Sequence, residues 1–460
     1  MTELTKQYGE LVERLRANFN AGLTRPLKWR RAQLDALQRM LEENEEAIAG
    51  ALHADLAKPA QEVVLGETAL LFTEIRHARA RVERWARAHK VDTPLVAQPG
   101  RSFIQPEPLG VALIIGAWNY PIQLVLAPLI PAIAAGNCAV LKPSEITPNA
   151  SRVLAELVPK YLDREAFAVV EGAVPEATAL LEQKWDHVFY TGGAAVGRIV
   201  MKAAAEHLTP VTLELGGKSP AIVDDSADLK SAARRLAWGK ALNAGQTCIA
   251  PDYVLVSKAQ KEPLIQALRQ QFRKMLGPDP LASDDYAAVV NERHFERLTG
   301  LLKQGRAVIG GQAETATRKI APTVLTDVEP DSGLMREEIF GPILPVIEVN
   351  DLDDAIEFVR RGDKPLSAYL FTRSRTSEKK FLRELACGSV CINDVMMFMS
   401  VPDLPFGGVG MSGMGQYHGQ AGFDRFSHLK SVIRRGRFPE ITIRFAPYSE
   451  LKTKLLRWFA

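Results

Sequence analysis

Cysteine is scarce in this chain. Only Cys138, Cys248, Cys387 and Cys391 occur among 460 residues, too few for a disulfide framework, so a reduced, cytoplasmic setting is expected. A surplus of charge is missing too. The 57 basic residues nearly cancel the 54 acidic ones, for a net charge of +3, which leaves no global field for nucleic acid or an anionic membrane. The eight histidines are scattered without an HExxH pattern, and Cys387 and Cys391 lack a second pair, so no metal site is expected. Heptads and fixed-period repeats are absent. The amino-terminal segment has neither the apolar core nor the small-residue cleavage site of a signal peptide.

What is present reads as a large globular α/β protein. Its length is about three domains' worth at the usual ~150 residues each. The 34 residues from Pro108 to Leu141 carry no charge, long enough on paper to cross a bilayer. Asn119, Gln123, Asn137 and three prolines interrupt them. The run divides into a strand (111–115), a WNYP turn, an apolar helix, a Gly136-Asn137 stop and a second strand (139–141), as in a sheet buried on both faces.

Residues 1 to about 85 show helical spacing, with Leu34, Leu37 and Leu41 followed by Ile48, Leu52 and Leu56. Strands are expected at 111–115, 139–141, 167–170, 187–190 and 211–215, separated by helices: a doubly wound parallel sheet. Beyond Glu214 a second alternation begins, with Asp228 capping a helix to about Asn243. It continues with strands at 253–256, 343–349 and 367–371 and helices at 261–275, 352–361 and 375–386. Between the two regions, 91–108 is rich in proline and β-formers and reads as an arm or a linker. The glycine-rich stretch 402–422 must be an ordered loop or a tight backbone approach.

Several chemical patterns fail on inspection. GGKS at 216–219 lacks the first glycine of a phosphate-binding P-loop, and GMSGMG at 410–415 lacks the spacing of a nucleophile elbow. TGGAAVG (191–197) joins an apolar strand to a helix, where glycines let backbone approach a pyrophosphate, or simply pack. Cys248 sits in a polar, glycine-bounded turn. It reads equally as a reachable, deprotonated nucleophile or as a small buried hydrophobe. The other three cysteines lie in strand-like apolar contexts. Glu214 ends an apolar strand, and is either structural or a general base raised in pKa by burial.

Six motifs then occur in order: WNYP (118–121), LKPSE (141–145), LELGGK (213–218), GQTC (245–248), EEIFGPI (337–343) and PFGG (405–408). Together they resemble the NAD(P)-dependent aldehyde dehydrogenase superfamily over essentially the whole chain. CIAPDY (248–253), YHG (417–419) and a basic, aromatic tail resemble its class 3-like branch. The resemblance implies a doubly wound parallel-sheet cofactor domain (1–85 and 107–213), a second α/β catalytic domain (214–424), and an oligomerisation arm and tail (86–106 and 425–460). It implies Cys248 as the nucleophile that forms a thiohemiacetal and then a thioester, and Asn119 as the oxyanion donor. Glu214 is implied as the base that activates the hydrolytic water. Trp118, Lys142, Glu145, the turn Gly192, Gly193, Ala194, Ala195, Val196 and Gly197, and Glu338 with Phe340 are implied as contacts to NAD, with NADP tolerated.

Tyr120, Trp238 and Phe406 match pocket-lining positions, with Met396, Met397 and Phe398 nearby, and suit medium-chain aliphatic or aromatic aldehydes. The chain departs from the family pattern at Tyr190, often phenylalanine, and at Gly193, often serine. The alternatives are a relative that hands its thioester to coenzyme A, against which Glu214 argues, and a non-catalytic relative free to lose Cys248, Glu214 or Asn119. A homodimer is expected, with 91–106 and 429–435 crossing to a partner. No membrane span is expected, although Arg434, Arg435, Arg437, Lys452 and Lys454 give the tail some attraction to anionic surfaces.

Overall fold

The uncharged run from Pro108 to Leu141 is folded largely into the interior, with only its start and the residues around Trp118 partly exposed. In the computed structural model, which describes residues 2–436 and 442–459, it supplies strand, helix and strand. The helix Gln123–Ala135 buries all of its residues, which is how an uninterrupted apolar sequence persists in an α/β layer. Gly136 ends it at φ +95°, and a Cβ there would collide with the Arg30 guanidinium. Among the described residues, no helix is long and apolar enough to cross a membrane.

Strands β1 (His89–Val91) and β2 (Gly100–Pro108) form the arm. Strands β3 (Val111–Ile115), β4 (Cys138–Lys142), β5 (Phe167–Val169), β6 (His187–Thr191) and β7 (Val211–Glu214) are parallel, in the order β7-β6-β3-β4-β5. The order reverses between β3 and β6. Ligand crevices in open α/β sheets lie outside the carboxyl ends of strands at such a reversal. WNYP follows β3, the Gly192-Gly193 turn follows β6, Lys142 ends β4 and Glu214 ends β7, so three of the six motifs and the glycine turn hang from one edge.

The second sheet contains β8 (Pro220–Val223), β9 (Tyr253–Ser257), β10 (Arg306–Ile309) and, past a small hairpin of β11 (Ala313–Glu314) and β12 (Lys319–Ile320), β13 (Thr323–Thr326). Strands β14 (Ile343–Val349), β15 (Ser367–Phe371) and β16 (Ser389–Ile392) complete it, in the order β10-β13-β14-β9-β8-β15-β16, with only β10 antiparallel. GQTC enters β9 and EEIFGP enters β14, so this sheet contributes its amino-terminal ends. The site lies where the outgoing edge of one sheet meets the incoming edge of the other.

Two strands, one short and one long, return late in the chain. β17 (Gly413–Met414) pairs antiparallel with β7, and β18 (Ser427–Arg435) pairs with β2 at nine positions. The expected strand at 429–435 is thus bonded to its own chain's arm, and the outer edges of β1 and β18 are unpaired within the three-stranded sheet. Arg437 of the basic tail lies outside the described residues.

The expected strands of both sheets form within a residue or two. β8, β10, β13 and β16, four residues each, carry no sequence expectation. The expected helix after Asp228 does have its cap, the Asp228 carboxylate accepting from Ser231 N. It stops at Ala241, short of Asn243, because Asn243 and Ala244 both turn left-handed at φ 51°.

Candidate active site

Glu214 is fixed before its side chain is considered. Its backbone lies between Thr191 of β6 and Gly413 of β17, and its carbonyl accepts from Gly192 N at 3.0 Å. A Cβ on Gly413 would run into the Leu213 carbonyl, and its φ of +143° also favours glycine. The glycine-rich stretch is therefore a close backbone approach that closes the sheet beside Glu214. The Glu214 side chain is 3% exposed, and neither oxygen meets a hydrogen-bond partner among the described residues. Burial pushes its carboxyl well above the ordinary range, opposed only by the Arg425 charge.

Cys248 follows the left-handed turn and is partly accessible, whereas Cys138 and Cys391 are buried. Its thiol is not readily ionised. Burial raises its pKa well above the ordinary value, the Glu338 and Glu214 carboxylates raise it further, and the Cys248 and Ile249 backbone N–H groups oppose them. Of the two readings the turn left open, a deprotonated thiol is opposed by burial first and by the two carboxylates after it. A base must take its proton.

The turn after β3 is bolted to this loop. Asn119 Nδ2 donates to the Gln246 carbonyl at 3.0 Å, committing one of its two amide hydrogens. Tyr120 Oη and Thr247 Oγ1 are 2.8 Å apart. The Asn119 carbonyl accepts from Asn243 Nδ2 at 2.9 Å and from Lys58 Nζ at 3.1 Å. Lys58, Glu67 and Gln246 carry no sequence expectation. Lys58 lies in the connection between two amino-terminal helices and Glu67 in the helical turn after it, a region where charges read as a solvent face. The only available signal was Glu67 as a lone charge in the run from Val63 to Phe72.

A cleft of about 940 Å³ runs from Gly193, Ala194 and Ala195 past Gly216 and Gly217 to Glu338. Gly193 caps the helix Ala194–Ala205 without a side chain, and a Cβ built on it would meet nothing within 4 Å. An uncovered helix amino terminus suits a pyrophosphate. Tyr190, the departure from phenylalanine, donates its hydroxyl to the Gly193 carbonyl at 3.3 Å. Val196 is exposed, and Gly197 packs on Leu215. Trp118 meets Phe340 edge-on at 5.2 Å. Glu338 accepts from Gly217 N, and burial, reinforced by Asp252, pushes it up to about 8. A Cβ on Gly216 would occupy the Glu338 carboxylate's place. Lys142 is buried, donates to the Pro143 carbonyl and lies 3.7 Å from the half-exposed Glu145. Open helix terminus, acceptor carboxylates and close glycine backbone together fit a nicotinamide dinucleotide.

The expected substrate residues are less closely gathered. Phe406 is buried, stacked on Phe398 at 6.0 Å and edge-on to Tyr417 at 5.9 Å. Tyr120 is buried against Gly66, and Trp238 is half-buried on the helix Leu229–Ala241. Among the described residues, no ring contact joins these three. Met396 is buried and Met397 exposed. Among the described residues, no group of three or more His, Cys, Asp or Glu is placed to hold a metal ion.

A doubly wound sheet with an open dinucleotide crevice, joined to a cysteine flanked by buried carboxylates, is the arrangement of a nicotinamide-dependent oxidoreductase. The chain belongs to the aldehyde dehydrogenase family, whose model matches residues 4–432. It is 47% identical over 450 residues to aldehyde dehydrogenase family 3 member A2 of Mus musculus, covering 97% of this chain and 93% of that one. It is 46% identical to a Canis lupus familiaris protein named aldehyde dehydrogenase, dimeric NADP-preferring, covering 93% and 94%. The substrate-bound Staphylococcus aureus AldH superposes with a TM-score of 0.96 at 43% identity, covering all of both chains. A Mycobacterium tuberculosis aldehyde dehydrogenase complexed with NAD+ superposes with a TM-score of 0.84 at 28% identity, covering 93% and 90%.

Proposed function

We propose that Cys248, Glu214 and Asn119 carry out the family's reaction in this chain, on medium-chain aliphatic or aromatic aldehydes. The protein oxidises an aldehyde to the carboxylic acid with NAD, and NADP is tolerated. When bound, the nicotinamide supplies the two-electron acceptor. Trp118, Phe340 and Glu338 would hold its ribose end, the 192–197 turn the pyrophosphate, and Lys142 with Glu145 the adenosine ribose.

The observation that carries the assignment is Glu214. A carboxylate with both oxygens buried and unpartnered is costly to the fold, and a base of raised pKa beside the Cys248 thiol gives it a use. Cys248 attacks the carbonyl carbon once its proton is taken. The resulting negative oxygen is stabilised by the remaining Asn119 N–H and the Cys248 backbone N–H. The thioester left after oxidation is cleaved by water whose proton Glu214 accepts, releasing the acid and the thiol. An aldehyde panel read by reduced-nicotinamide absorbance with NAD and NADP tests the reading. Absence of turnover with every apolar aldehyde would overturn the substrate class.

The same reading extends to assembly. Residues 1–85 and 107–213 would bind cofactor, 214–424 carry the chemistry, and 86–106 with 425–460 join two copies in the cytoplasm. Support comes from the unpaired outer edge of β18, which displays Leu429 and Ile433, and from the relative named dimeric. Sheet addition there would give a two-fold dimer. Light scattering at micromolar concentration should give twice the chain mass; a monomer mass would exclude it.

A further inference from the structure

We propose that the buried Lys58–Glu67 ion pair is a positioning clamp for the 119–123 turn, setting where the Asn119 amide stands relative to the cysteine loop. The inference rests on the assignment of Asn119 as oxyanion donor.

Both side chains are completely buried, with Lys58 Nζ and Glu67 Oε1 2.8 Å apart. A buried pair of this kind gains little stability over apolar residues of similar volume, because two charges must leave water. Its remaining bonding capacity is what distinguishes it. Lys58 Nζ donates to the Asn119 carbonyl at 3.1 Å and stands 4.2 Å from the Tyr120 ring centroid. Glu67 Oε2 accepts from Gln123 N at 2.7 Å, and the carboxylate accepts from Ile122 N as well. The ammonium therefore holds the first residue of the turn and the carboxylate its last two.

The backbone beneath is shaped for the same contact. Val64–Thr68 is a π-helical turn, an irregularity that often marks functional sites. It places Gly66 flat against Tyr120, where a Cβ would come within 2.7 Å of the ring. Tyr120 in turn bonds Thr247, the residue before the nucleophile. A shift of the turn would thus move the Asn119 donor and the cysteine loop relative to each other, and misplacement by about 1 Å can cost ~10²-fold in rate.

The test replaces both charges together. Lys58→Met/Glu67→Leu leaves no unpaired charge and should recover a Tm near that of the wild type, while Lys58→Met alone should be much less stable. Despite its recovered fold, the double variant should lose about 10–100-fold in kcat, with the NAD dissociation constant unchanged. Glu67→Gln, which keeps volume and one acceptor, is measured alongside and should lose kcat in the same direction. The loss should vanish when the pair is replaced in an Asn119→Ala background, since the two act through one donor. Full kcat in the charge-free double variant overturns the clamp, and so does an undiminished loss in the Asn119→Ala background. Asn119→Ala with wild-type kcat separately overturns the oxyanion assignment.

Discussion

Tyr120 and Thr247 meet hydroxyl to hydroxyl at 2.8 Å, joining the turn that follows a strand of one sheet to the residue that precedes the cysteine of the other. Together with the Asn119–Gln246 bond, this contact makes the nucleophile loop and the oxyanion turn one unit. Predictions about any member must therefore separate chemistry from placement.

Cys248→Ala should abolish aldehyde oxidation and leave NAD binding intact, measured by turnover and by fluorescence titration. Alanine at Cys138, Cys387 or Cys391 should leave much of the rate. Burial raises those thiols as well, to about 12 for Cys138 and about 11 for Cys387, and none of the three lies in a motif of the Cys248 kind. Substantial turnover by Cys248→Ala would remove the mechanism.

Glu214→Gln separates the two halves of the reaction. If Glu214 serves only hydrolysis, stopped-flow absorbance should show a full first burst, near one reduced cofactor per site. Steady turnover should fall by about 10²–10⁴. If it also takes the Cys248 proton, the burst itself should slow and recover at higher pH, because the thiol then ionises unaided only above its raised pKa. Unchanged kinetics in both phases would refute either role.

Glu145→Gln should improve NADP relative to NAD. At the proposed adenosine ribose the half-exposed carboxylate would accept from hydroxyls and repel a 2′-phosphate, and Lys142 beside it would partly offset the repulsion. The ratio of kcat/KM values with the two cofactors reads the effect; an unchanged ratio places Glu145 away from the ribose.

Glu74→Gln should stabilise the protein at pH 8 but not at pH 4. Burial, with help from Asp403, pushes the Glu74 carboxyl up to about 7 against the Gly419 N–H that opposes it. Below about 4.5 the group is protonated in both states. Between there and 7 the folded state holds the proton more tightly, so rising pH removes stability, on the order of 3 kcal/mol in full. His418, 3.4 Å away, is pushed down to about 4 by burial and stays neutral through most of that window. Urea unfolding at the two pH values reads the difference; equal gains at both would mean the carboxyl is not buried as described.

Much of the fold was legible because parallel strands buried on both faces appear as short uncharged runs. That accounts for β3 to β7, β9, β14 and β15. β8 opens on Pro220 and β13 on Thr323, and four residues carry too little pattern to outweigh such ends. Cys248, Glu214 and Asn119 were legible through motifs whose glycines and prolines have local reasons. The ionisation of Cys248 was not, since Glu338 lies ninety residues away in sequence and its effect exists only once the sheets meet. Lys58 and Glu67 were hidden for the same reason, their partners being Asn119, Ile122 and Gln123.

The pairing of β17 with β7 also bears on how the protein is made. Glu214 leaves the ribosome about 200 residues before Gly413, its neighbour across the sheet. At ~5–20 residues per second that interval is roughly 10–40 s. Through it the nascent chain carries its catalytic carboxylate on an open strand edge, able to pair with any other chain in reach. Completion of the active site and protection of that edge are thus a single late event in synthesis, and a message broken before codon 413 would yield a product that is inactive and prone to aggregate.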